Sequence, residues 1–357
     1  MPDLATSTVI QAQPLRQFCA AAFERVGLTA ADAAAVADTL VEADLRGVHS
    51  HGVWWTLTYT QRLKAGGVNP RPNIQVLRET AAMAVLDADR GLGQVASLAA
   101  MRRAIQMAKG CGVGVVTVRN SNHFGAAAYY ALMAAQAGQI GFAVSDAEPV
   151  MAPWGGAKAV VGNDPLAYAI PATDGFSIVL DMALSVVAWG KIFLAAQRNE
   201  KVPATWALNQ AGQPTEDAHE AMAGLLNPVG GYKGYGLALV MEVISSVLAG
   251  ASFGLGIPPL TDATIAQDTG HFFMALDIEH FMPMGEFRQR MDSLIHEHRD
   301  VPLLPGVERI YLPGEIEHLK RKQRLEAGIP LDRYVVAGLI RLGDELELDT
   351  SELRELA

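Results

Sequence analysis

Apolar and polar positions follow a helical period at both ends of the chain. Apolar residues three or four positions apart predict helices over residues 13–45 and from Val53 to Lys64. From about residue 285 onward the same period returns, and the charged stretch from Glu315 to Ala327 is typical of an amphipathic helix. Both ends of the chain are therefore predicted to be helical.

The middle of the chain has a different pattern, in which short apolar runs alternate with helical stretches. Such alternation indicates a sheet with helices packed on it. The predicted strands are 82–87, 113–118, 140–144, 178–181 and 272–276, and the predicted helices are 93–110, 126–137 and 235–248.

The sequence Asn69-Pro70-Arg71-Pro72 interrupts the helical pattern and is the best early domain boundary. We therefore predict a first helical part over residues 1–75, an α/β domain over 76–285 and a second helical part over 286–357. The two helical parts are expected to pack together. The predicted fold class is α/β (α+β), with one sheet domain and one helical domain built from both chain ends.

Composition narrows the functional classes. The 357 residues carry a net charge of −10 and a sequence pI near 5.4, which argues against non-specific binding to nucleic acid or to an anionic membrane surface. No window approaches the roughly 18 apolar residues of a membrane span. The first residues do not resemble a signal peptide, and there are only two cysteines. We expect a cytoplasmic protein with free thiols.

The segment Ser50-His51-Gly52 is the strongest candidate for chemistry. Histidine is the side chain whose ordinary pKa lies nearest neutrality, so it can take up and release protons at working pH. Two indoles, Trp54 and Trp55, follow it, and Tyr59 lies eight residues beyond His51. These residues indicate a proton-transfer site with an aromatic wall.

Residues Gly91 to Ala96 match the G-x-G-x-x-A pattern of a dinucleotide-binding turn. That site also needs an acidic residue near the end of the next strand. Here the next strand ends in Arg119-Asn120, so a tight turn with close helix packing is favoured.

The segment from Asn120 to Gly125 has polar side chains at the end of a predicted buried strand, where α/β sheets bind ligands. It could equally be a capped helix start, with His123 satisfied structurally. Asp181, also at a strand end, could orient a histidine or cap the next helix.

Three glycine-rich segments indicate an extended ligand lying along the backbone: Gly155-Gly156, Gly162 to Pro165, and Gly230 to Gly236, which contains Lys233. Ordinary turns are the alternative. A zinc site at His49, His51 and His123 is disfavoured because no cysteine cluster or H-E-x-x-H motif accompanies them, so we predict no metal.

Taken together, these motifs resemble the malate/L-lactate dehydrogenase family of non-Rossmann NAD(P)-dependent oxidoreductases. That family includes ureidoglycolate, sulfolactate and diketogulonate enzymes and reductases of cyclic imino acids. The resemblance covers about residues 15 to 330. The matching segments are Asp44 to Gly47, Ser50 to Gly52, Asn120 to Gly125, Ala152 to Gly156, Asp181 to Ala183 with Ser185, Gly230 to Gly236, and Pro313 to Glu315.

The resemblance implies a homodimer that binds NAD or NADP and a small-molecule substrate between the helical domain and an unusual cofactor domain. It implies that His51 is the proton donor, supported by Ser50, with Asp181 as its partner. It places Trp55, Tyr59 and Asn120 at the substrate. The implied cofactor contacts are His123, Gly125, Asp181, Met182, Ala183, Lys233, Gly234, Pro313, Gly314 and Glu315.

Two departures from the family pattern bear on the substrate. Members usually carry arginine four residues after the catalytic histidine, to pair with the substrate carboxylate, and here that residue is Trp55. An indole favours apolar surface or a cation. Asp146 and Asp164 stand where the family has asparagine, and they are expected to add negative charge close to the dinucleotide or substrate.

Three hypotheses follow from these departures. The first is an NAD(P)-dependent reductase of an atypical substrate, such as a neutral carbonyl, an imine or a larger apolar molecule. The second is an ordinary 2-hydroxy-acid dehydrogenase whose carboxylate is held by Arg46, Arg119, or Tyr59 with backbone amides. The third is a non-catalytic scaffold. The retained Ser50 and His51 weigh against the third.

Overall fold

A computed structural model describes residues 7–172 and 175–356. Within those residues, no helix combines the length and apolar character needed to cross a membrane. The chain folds into a mixed sheet covered by helices and a helical unit that contains both chain ends.

The strands are β1 (Ser7–Ile10), β2 (Gln75–Glu79), β3 (Met83–Asp87), β4 (Val113–Ser121), β5 (Gln139–Ser145), β6 (Leu166–Pro171), β7 (Ser177–Met182), β8 (Ala207–Leu208), β9 (Leu225–Leu226), β10 (Thr269–Asp277) and β11 (Ile329–Asp332). The helices are α1 (Ala12–Arg25), α2 (Ala30–Leu45), α3 (Trp55–Ala65), α4 (Gly93–Cys111), α5 (Ala127–Gln136), α6 (Trp189–Gln197), α7 (Ala218–Met222), α8 (Tyr232–Glu242), α9 (Met284–Arg299), α10 (Glu315–Ala327), α11 (Arg333–Glu345) and α12 (Ser351–Leu356).

The main sheet has seven strands in the order β2-β3-β4-β10-β5-β6-β7. Only β3 and β4 are parallel, and every other neighbouring pair in this sheet is antiparallel. This mixed order differs from a doubly wound parallel sheet, so the predicted α/β fold with a non-Rossmann sheet is confirmed. The late strand β10 lies at the centre, although it is distant in sequence from both of its neighbours.

Each face of the sheet is covered by its own helices, because strand side chains alternate between faces. One face packs against α4 and α5, with Met101, Tyr130 and Phe273 in the core. The other face packs against α6 and α8, with Phe142 and Met241 in the core. The central strands of the sheet therefore lie between two layers of helices, whereas the edge strand β2 is exposed.

The helical unit joins the two chain ends. Helices α1, α2, α3 and α11 share one apolar core, and β1 pairs with β11 so that Ile10 lies opposite Ile329. The sequence pattern did not predict these two short strands, since each acquires its partner from the far end of the chain. The domain boundaries at residues 75 and 285 remain a prediction.

Several helix ends lie where the sequence placed them. Thr29 caps α2 by accepting a hydrogen bond from the Asp32 amide at 3.0 Å. Gly66 ends α3 in the left-handed conformation, with φ of 86°. The predicted helix 235–248 instead begins at Tyr232 and ends at Glu242, followed by a π-helical segment from Val243 to Val247.

Asp146 and Asp164 form a buried carboxyl pair between the ends of β5 and β6. The Ala147 amide donates to Oδ1 of both residues, at 2.7 and 3.2 Å. Neither Oδ2 has a hydrogen-bond partner among the described residues. Burial raises the pKa of both carboxyl groups, and the neighbouring Asp146 and Glu242 raise the pKa of Asp164 further.

Both shifts favour the protonated carboxyl group, and the shift is larger for Asp164, whose pKa lies well above its usual range. The two residues are 2% and 0% exposed, and their raised pKa values weaken the expectation that both add negative charge near the ligand. A protonated Asp164 would carry no charge, like the asparagine of the family pattern.

We predict that Asp164→Asn stabilises the protein at neutral pH. An aspartate whose folded pKa is raised contributes its full stability below its unfolded pKa of about 3.9 and loses it as pH rises towards the folded pKa. The asparagine amide has no proton to lose. Urea unfolding at pH 7.5 should therefore show a gain in the free energy of unfolding, and this gain should shrink as pH falls towards about 4.

The matched control is Glu297→Gln, which neutralises an exposed carboxylate on α9 and should leave the free energy of unfolding unchanged. A pH-independent effect of Asp164→Asn, or a loss of stability at neutral pH, would contradict the raised pKa of Asp164.

Candidate active site

His51 lies in a short 3-10 turn, His49–His51, between α2 and α3. The Ser50 hydroxyl is hydrogen-bonded to its Nδ1 atom at 3.0 Å. With Nδ1 engaged by Ser50, Nε2 is the ring nitrogen left to exchange a proton with a ligand. The predicted Ser50–His51 pair is thus formed within the loop itself.

His123 comes from the sheet and meets His51 at the junction with the helical unit. It follows β4, and its ring stacks on that of His51 with a centroid distance of 5.7 Å and an interplanar angle of 18°. Tyr59, one helical turn beyond Trp55 on α3, joins its hydroxyl to His123 Nδ1 at 2.6 Å. The two histidines, one from the loop before α3 and one from the end of β4, therefore lie side by side.

Both histidines are neutral at pH 7 in this arrangement. Burial lowers the pKa of His51 to about 4 and that of His123 to about 3, and the neighbouring His51 lowers the pKa of His123 as well. A carboxylate partner, such as the Asp181 that the family resemblance implies, would shift the pKa of His51 in the opposite direction. Desolvation prevails because no acidic side chain faces the ring among the described residues.

Asp181 lies at the end of β7, and its carboxylate accepts a hydrogen bond from the Ala128 amide of α5 at 3.3 Å. Among the described residues, no hydrogen bond joins it to His51. Although part of Asp181 is exposed, desolvation by the surrounding protein raises the pKa of its carboxyl group to about 6. The Asp181–His51 pair implied by the family resemblance is therefore not formed in this structure.

Trp55 forms the wall of the site. Its indole N–H donates to the Ser50 carbonyl at 2.8 Å, and its ring lies 5.0 Å from that of His123 and 5.7 Å from that of Tyr59. Trp54 lies behind it, with 4.1 Å between the centroids of the two tilted rings. Its indole N–H donates to the same Ser50 carbonyl at 3.2 Å. The indole N–H of Trp55 is thus already used, and the ring presents carbon atoms to the site.

Asn120 is engaged away from the histidines, contrary to the predicted substrate contact. Its side-chain amide donates to Asp87 at 2.8 Å. Its backbone amide donates to the Asp268 carboxylate, and this hydrogen bond stabilises the φ of 54°. The glycine pattern near it is explained by packing. A Cβ on Gly93 would lie 2.1 Å from the Asn122 carbonyl, so a close helix contact and not a phosphate requires that glycine.

Backbone hydrogen bonds bring the predicted cofactor segments together. The Leu184 amide, directly after Asp181 to Ala183, donates to the Asn163 carbonyl at 2.7 Å, and the Leu184 carbonyl accepts from Val229 at 2.9 Å. The Val179 amide donates to the Pro313 carbonyl at 3.0 Å. Segments distant in the sequence thus form one surface at the free edge of β7.

The glycine-rich segments have open backbone. A Cβ at Gly155 or Gly230 would meet nothing within 4 Å, so both backbones are open to a ligand. Lys233 is exposed in the first turn of α8, beside the helix amides that favour a phosphate. Glu315 is an exception, because its carboxylate is held by Arg299, Arg309 and the Leu312 amide.

Burial by itself would raise the pKa of Glu315. The three partners outweigh that effect, so the pKa of Glu315 lies below its ordinary value. The Glu315 side chain is thus a structural anchor, and only the backbone of Pro313 to Glu315 is left to contact a cofactor.

The structure adds His271 and Arg62, which sequence analysis did not single out. His271 is fully buried on β10, bonds Ser121 and Ser145, and stacks under Phe124 directly behind His123. Arg62 is buried with its guanidinium group on three carbonyls and Asn122. No local motif marks either residue. The described residues contain no group of three or more His, Cys, Asp or Glu side chains that could hold a metal ion.

Comparison with known proteins agrees with this geometry. The family model described as malate/L-lactate dehydrogenase matches residues 10–340. A malate dehydrogenase of Pyrococcus abyssi is 40% identical over 330 residues, which is 90% of each chain. An L-sulfolactate dehydrogenase of Methanocaldococcus jannaschii is 38% identical and covers 93% of this chain and 95% of its own. The solved structure of malate dehydrogenase from Pyrococcus horikoshii has a TM-score of 0.89 at 38% identity, covering 96% and 97% of the two chains.

Two further relatives are named with their cofactor. A ureidoglycolate dehydrogenase (NAD(+)) of Escherichia coli is 36% identical over 86% of this chain and 88% of its own. A (2R)-3-sulfolactate dehydrogenase (NADP(+)) of Chromohalobacter salexigens is 32% identical over 90% and 94%. The chain therefore belongs to the malate/L-lactate dehydrogenase family and is an NAD(P)-dependent dehydrogenase or reductase.

Proposed function

We propose that the enzyme transfers hydride between the nicotinamide of NAD(H) or NADP(H) and the carbon of a C=O or C=N group, with His51 as proton donor and acceptor. We further propose that its substrate is atypical: a neutral carbonyl, an imine or a larger apolar molecule. The observation that carries this proposal is Trp55, whose ring packs on His123 in place of a carboxylate-binding arginine.

His51 suits the oxidative direction as it stands. Its neutral ring, with Nδ1 on Ser50, leaves Nε2 able to accept the proton of a hydroxyl or amine. The bound cofactor takes up or supplies the hydride. In the reductive direction His51 has to bind a proton first, and a carboxylate brought near it would favour this. Asp181 remains our proposal for that carboxylate, through rearrangement when ligands bind.

The wall formed by Trp55 is poorly suited to a carboxylate. Its N–H is directed to the Ser50 carbonyl, so the site meets only the apolar ring. Burying a carboxylate against such a surface without a charged or hydrogen-bonding partner costs several kcal/mol. The same ring can pack against an apolar or aromatic substrate group.

The groups that could hold a carboxylate elsewhere are already engaged. Arg46 pairs with Glu42 at 2.9 Å, and Arg119 pairs with Asp87 at 3.1 Å. The Tyr59 hydroxyl is bonded to His123. Each of these arginines uses only its Nε atom in the ion pair. An ordinary 2-hydroxy-acid dehydrogenase, which the names of the malate and sulfolactate relatives favour, would have to bind the carboxylate through the terminal N–H groups of Arg46 or Arg119, or break the Tyr59–His123 bond.

A homodimer is part of the proposal. Helix α8 and the π-helical segment after it expose one continuous apolar face. A contiguous apolar surface of this kind is typical of a protein interface. Its large residues are 42–62% exposed and are Leu237, Leu239, Val240, Val243, Val247 and Leu248.

A cytoplasmic setting is proposed as well, since both cysteines are free thiols, Cys19 being buried and Cys111 exposed.

His51→Ala should lower turnover by at least about 10²-fold, because general acid–base catalysis contributes that much or more. Binding of NADH and NADPH, measured by calorimetry, should be unchanged. The control His298→Ala removes an exposed histidine of α9 and should keep full activity. Near-wild-type turnover by His51→Ala would overturn the assignment.

Trp55→Arg should shift the substrate preference towards 2-oxo acids. A new guanidinium group beside His123 can pair with a carboxylate, which predicts a gain in kcat/KM of about tenfold for pyruvate or oxaloacetate. The assay follows the absorbance loss of reduced cofactor with these acids, uncharged ketones and cyclic imines without a carboxylate.

Trp54→Arg is the matched control for this substitution, because it places the same charge one position away. Robust turnover of pyruvate or oxaloacetate by the unaltered enzyme would rule out the atypical pocket and establish the 2-hydroxy-acid alternative.

Val240→Asp combined with Val247→Asp should dissociate the dimer, because two charges would have to be buried in an apolar interface. Sedimentation velocity should then show a monomer where the unaltered chain shows a dimer. Leu304→Asp alters a leucine that is 75% exposed in the loop between α9 and α10 and should leave the dimer intact. A monomeric unaltered chain would refute the interface.

A further inference from the structure

Asp44 lies directly beneath the loop that carries Ser50 and His51. It belongs to the last turn of α2 and is only 2% exposed. Its Oδ1 is 2.6 Å from His49 Nδ1, and its Oδ2 accepts from the Val53 amide at 2.7 Å. One carboxylate thus binds the residue before and a residue after the Ser50-His51 pair.

Gly52 shows how closely the loop follows this carboxylate. A Cβ on Gly52 would lie 2.2–2.3 Å from the Asp44 carboxylate atoms. The φ of Gly52 is −85°, which any residue can adopt, so the glycine is needed for space and not for its conformation. The loop and Asp44 therefore fit together as one unit.

The hydrogen bonds of His49 define its tautomer. Its Nε2 is 3.1 Å from Nη1 of Arg324. A guanidinium group only donates, so Nε2 accepts and the ring proton lies on Nδ1, from which it is donated to Asp44. The Arg324 guanidinium also donates to the Asp44 carbonyl, at 2.5 Å. In the chain of contacts Arg324–His49–Asp44, Arg324 thus donates to His49 and His49 donates to Asp44.

This chain leads from the proton-transfer loop to the cofactor surface. Arg324 lies on α10, which begins at Glu315, within the segment Pro313 to Glu315 whose backbone packs on β7. His49 itself has no other role in the site: it does not face His123, and the described residues offer no metal cluster that includes it.

We propose that Asp44 and His49 are positioning residues for proton transfer. They hold the loop so that His51 stays stacked on His123, and Arg324 fixes the tautomer of His49 that this requires. The inference depends on the proposed function only for the role of His51, since the contacts themselves exist without substrate.

Asp44→Asn tests the carboxylate with little change in size. The asparagine oxygen can still accept from Val53, but its NH₂ group then faces the N–H of His49. His49 cannot relieve this clash by moving its proton to Nε2, because Arg324 donates there. We expect kcat to fall by about 10²-fold, as a displacement of about 1 Å can cause. The KM for the reduced cofactor should change by less than about twofold.

His49→Asn and His49→Leu form a matched pair. Asparagine can place an N–H near the position of Nδ1 and keep the bond to Asp44, whereas leucine cannot. We expect His49→Asn to retain most of the turnover and His49→Leu to lose as much as Asp44→Asn. Equal losses in both variants would overturn the proposal. Turnover is measured with the carbonyl or imine that the unaltered enzyme reduces fastest.

NMR of the ¹⁵N-histidine-labelled enzyme supplies a measurement that needs no substrate. His49, assigned through its loss in His49→Asn, should show the Nδ1–H tautomer, and the His51 signals should shift or broaden in Asp44→Asn. An Nε2–H tautomer at His49 would overturn the proposal. So would unchanged His51 signals in Asp44→Asn, even with a loss of stability, since that result indicates a structural role alone.

The same measurement separates this inference from the proposed function. If the unaltered enzyme reduced none of the carbonyls and imines tested, the proposed function would fail. The tautomer of His49 and the response of His51 to Asp44→Asn would still decide whether Asp44 and His49 position the loop.

Discussion

The hydrogen bond between the Tyr59 hydroxyl and His123 joins the helical unit to the sheet beside His51. Tyr59 comes from the helical unit, and His123 comes from the end of the central part of the sheet. Each half supplies one histidine, and the two rings stack only if the halves are held in register. Burial at this junction lowers the pKa of both histidines, so the packing of the helical unit on the sheet affects both the geometry and the protonation of the two rings.

Much of the fold could be predicted because it depends on local patterns. The helical period marked α1 to α3 and α10, and the apolar runs marked β3 to β5, β7 and β10. The strands β1 and β11 could not be predicted, because their residues become a sheet only through a partner more than 300 positions away. Strand β6 was missed as well, since Leu166–Pro171 follows a turn and alternates too briefly to be distinguished from a loop.

The site shows the same division between local and distant information. Motifs identified His51, Ser50 and His123, and the fold brings them together. They could not show that Asn120 is bonded to Asp87, or that Asp181 is bonded to Ala128 and not to His51. Those partners come from other strands and helices. No sequence motif includes His271 or Arg62. Both residues form hydrogen bonds to buried polar groups beneath the site, and these partners are distant in the sequence.

The proposed acid–base group and the proposed substrate wall belong to one loop, from His49 to Trp55. The Ser50 carbonyl accepts from both indoles, while the Ser50 hydroxyl bonds His51, so one residue orients the wall and the acid–base group together. Asp44 holds this loop from below. An arginine at position 55 would leave the Ser50 carbonyl with fewer donors and would introduce a charge beside two histidines that burial keeps neutral. If the proposed roles hold, tryptophan in place of arginine at position 55 changes the substrate surface and the charge near His51 together.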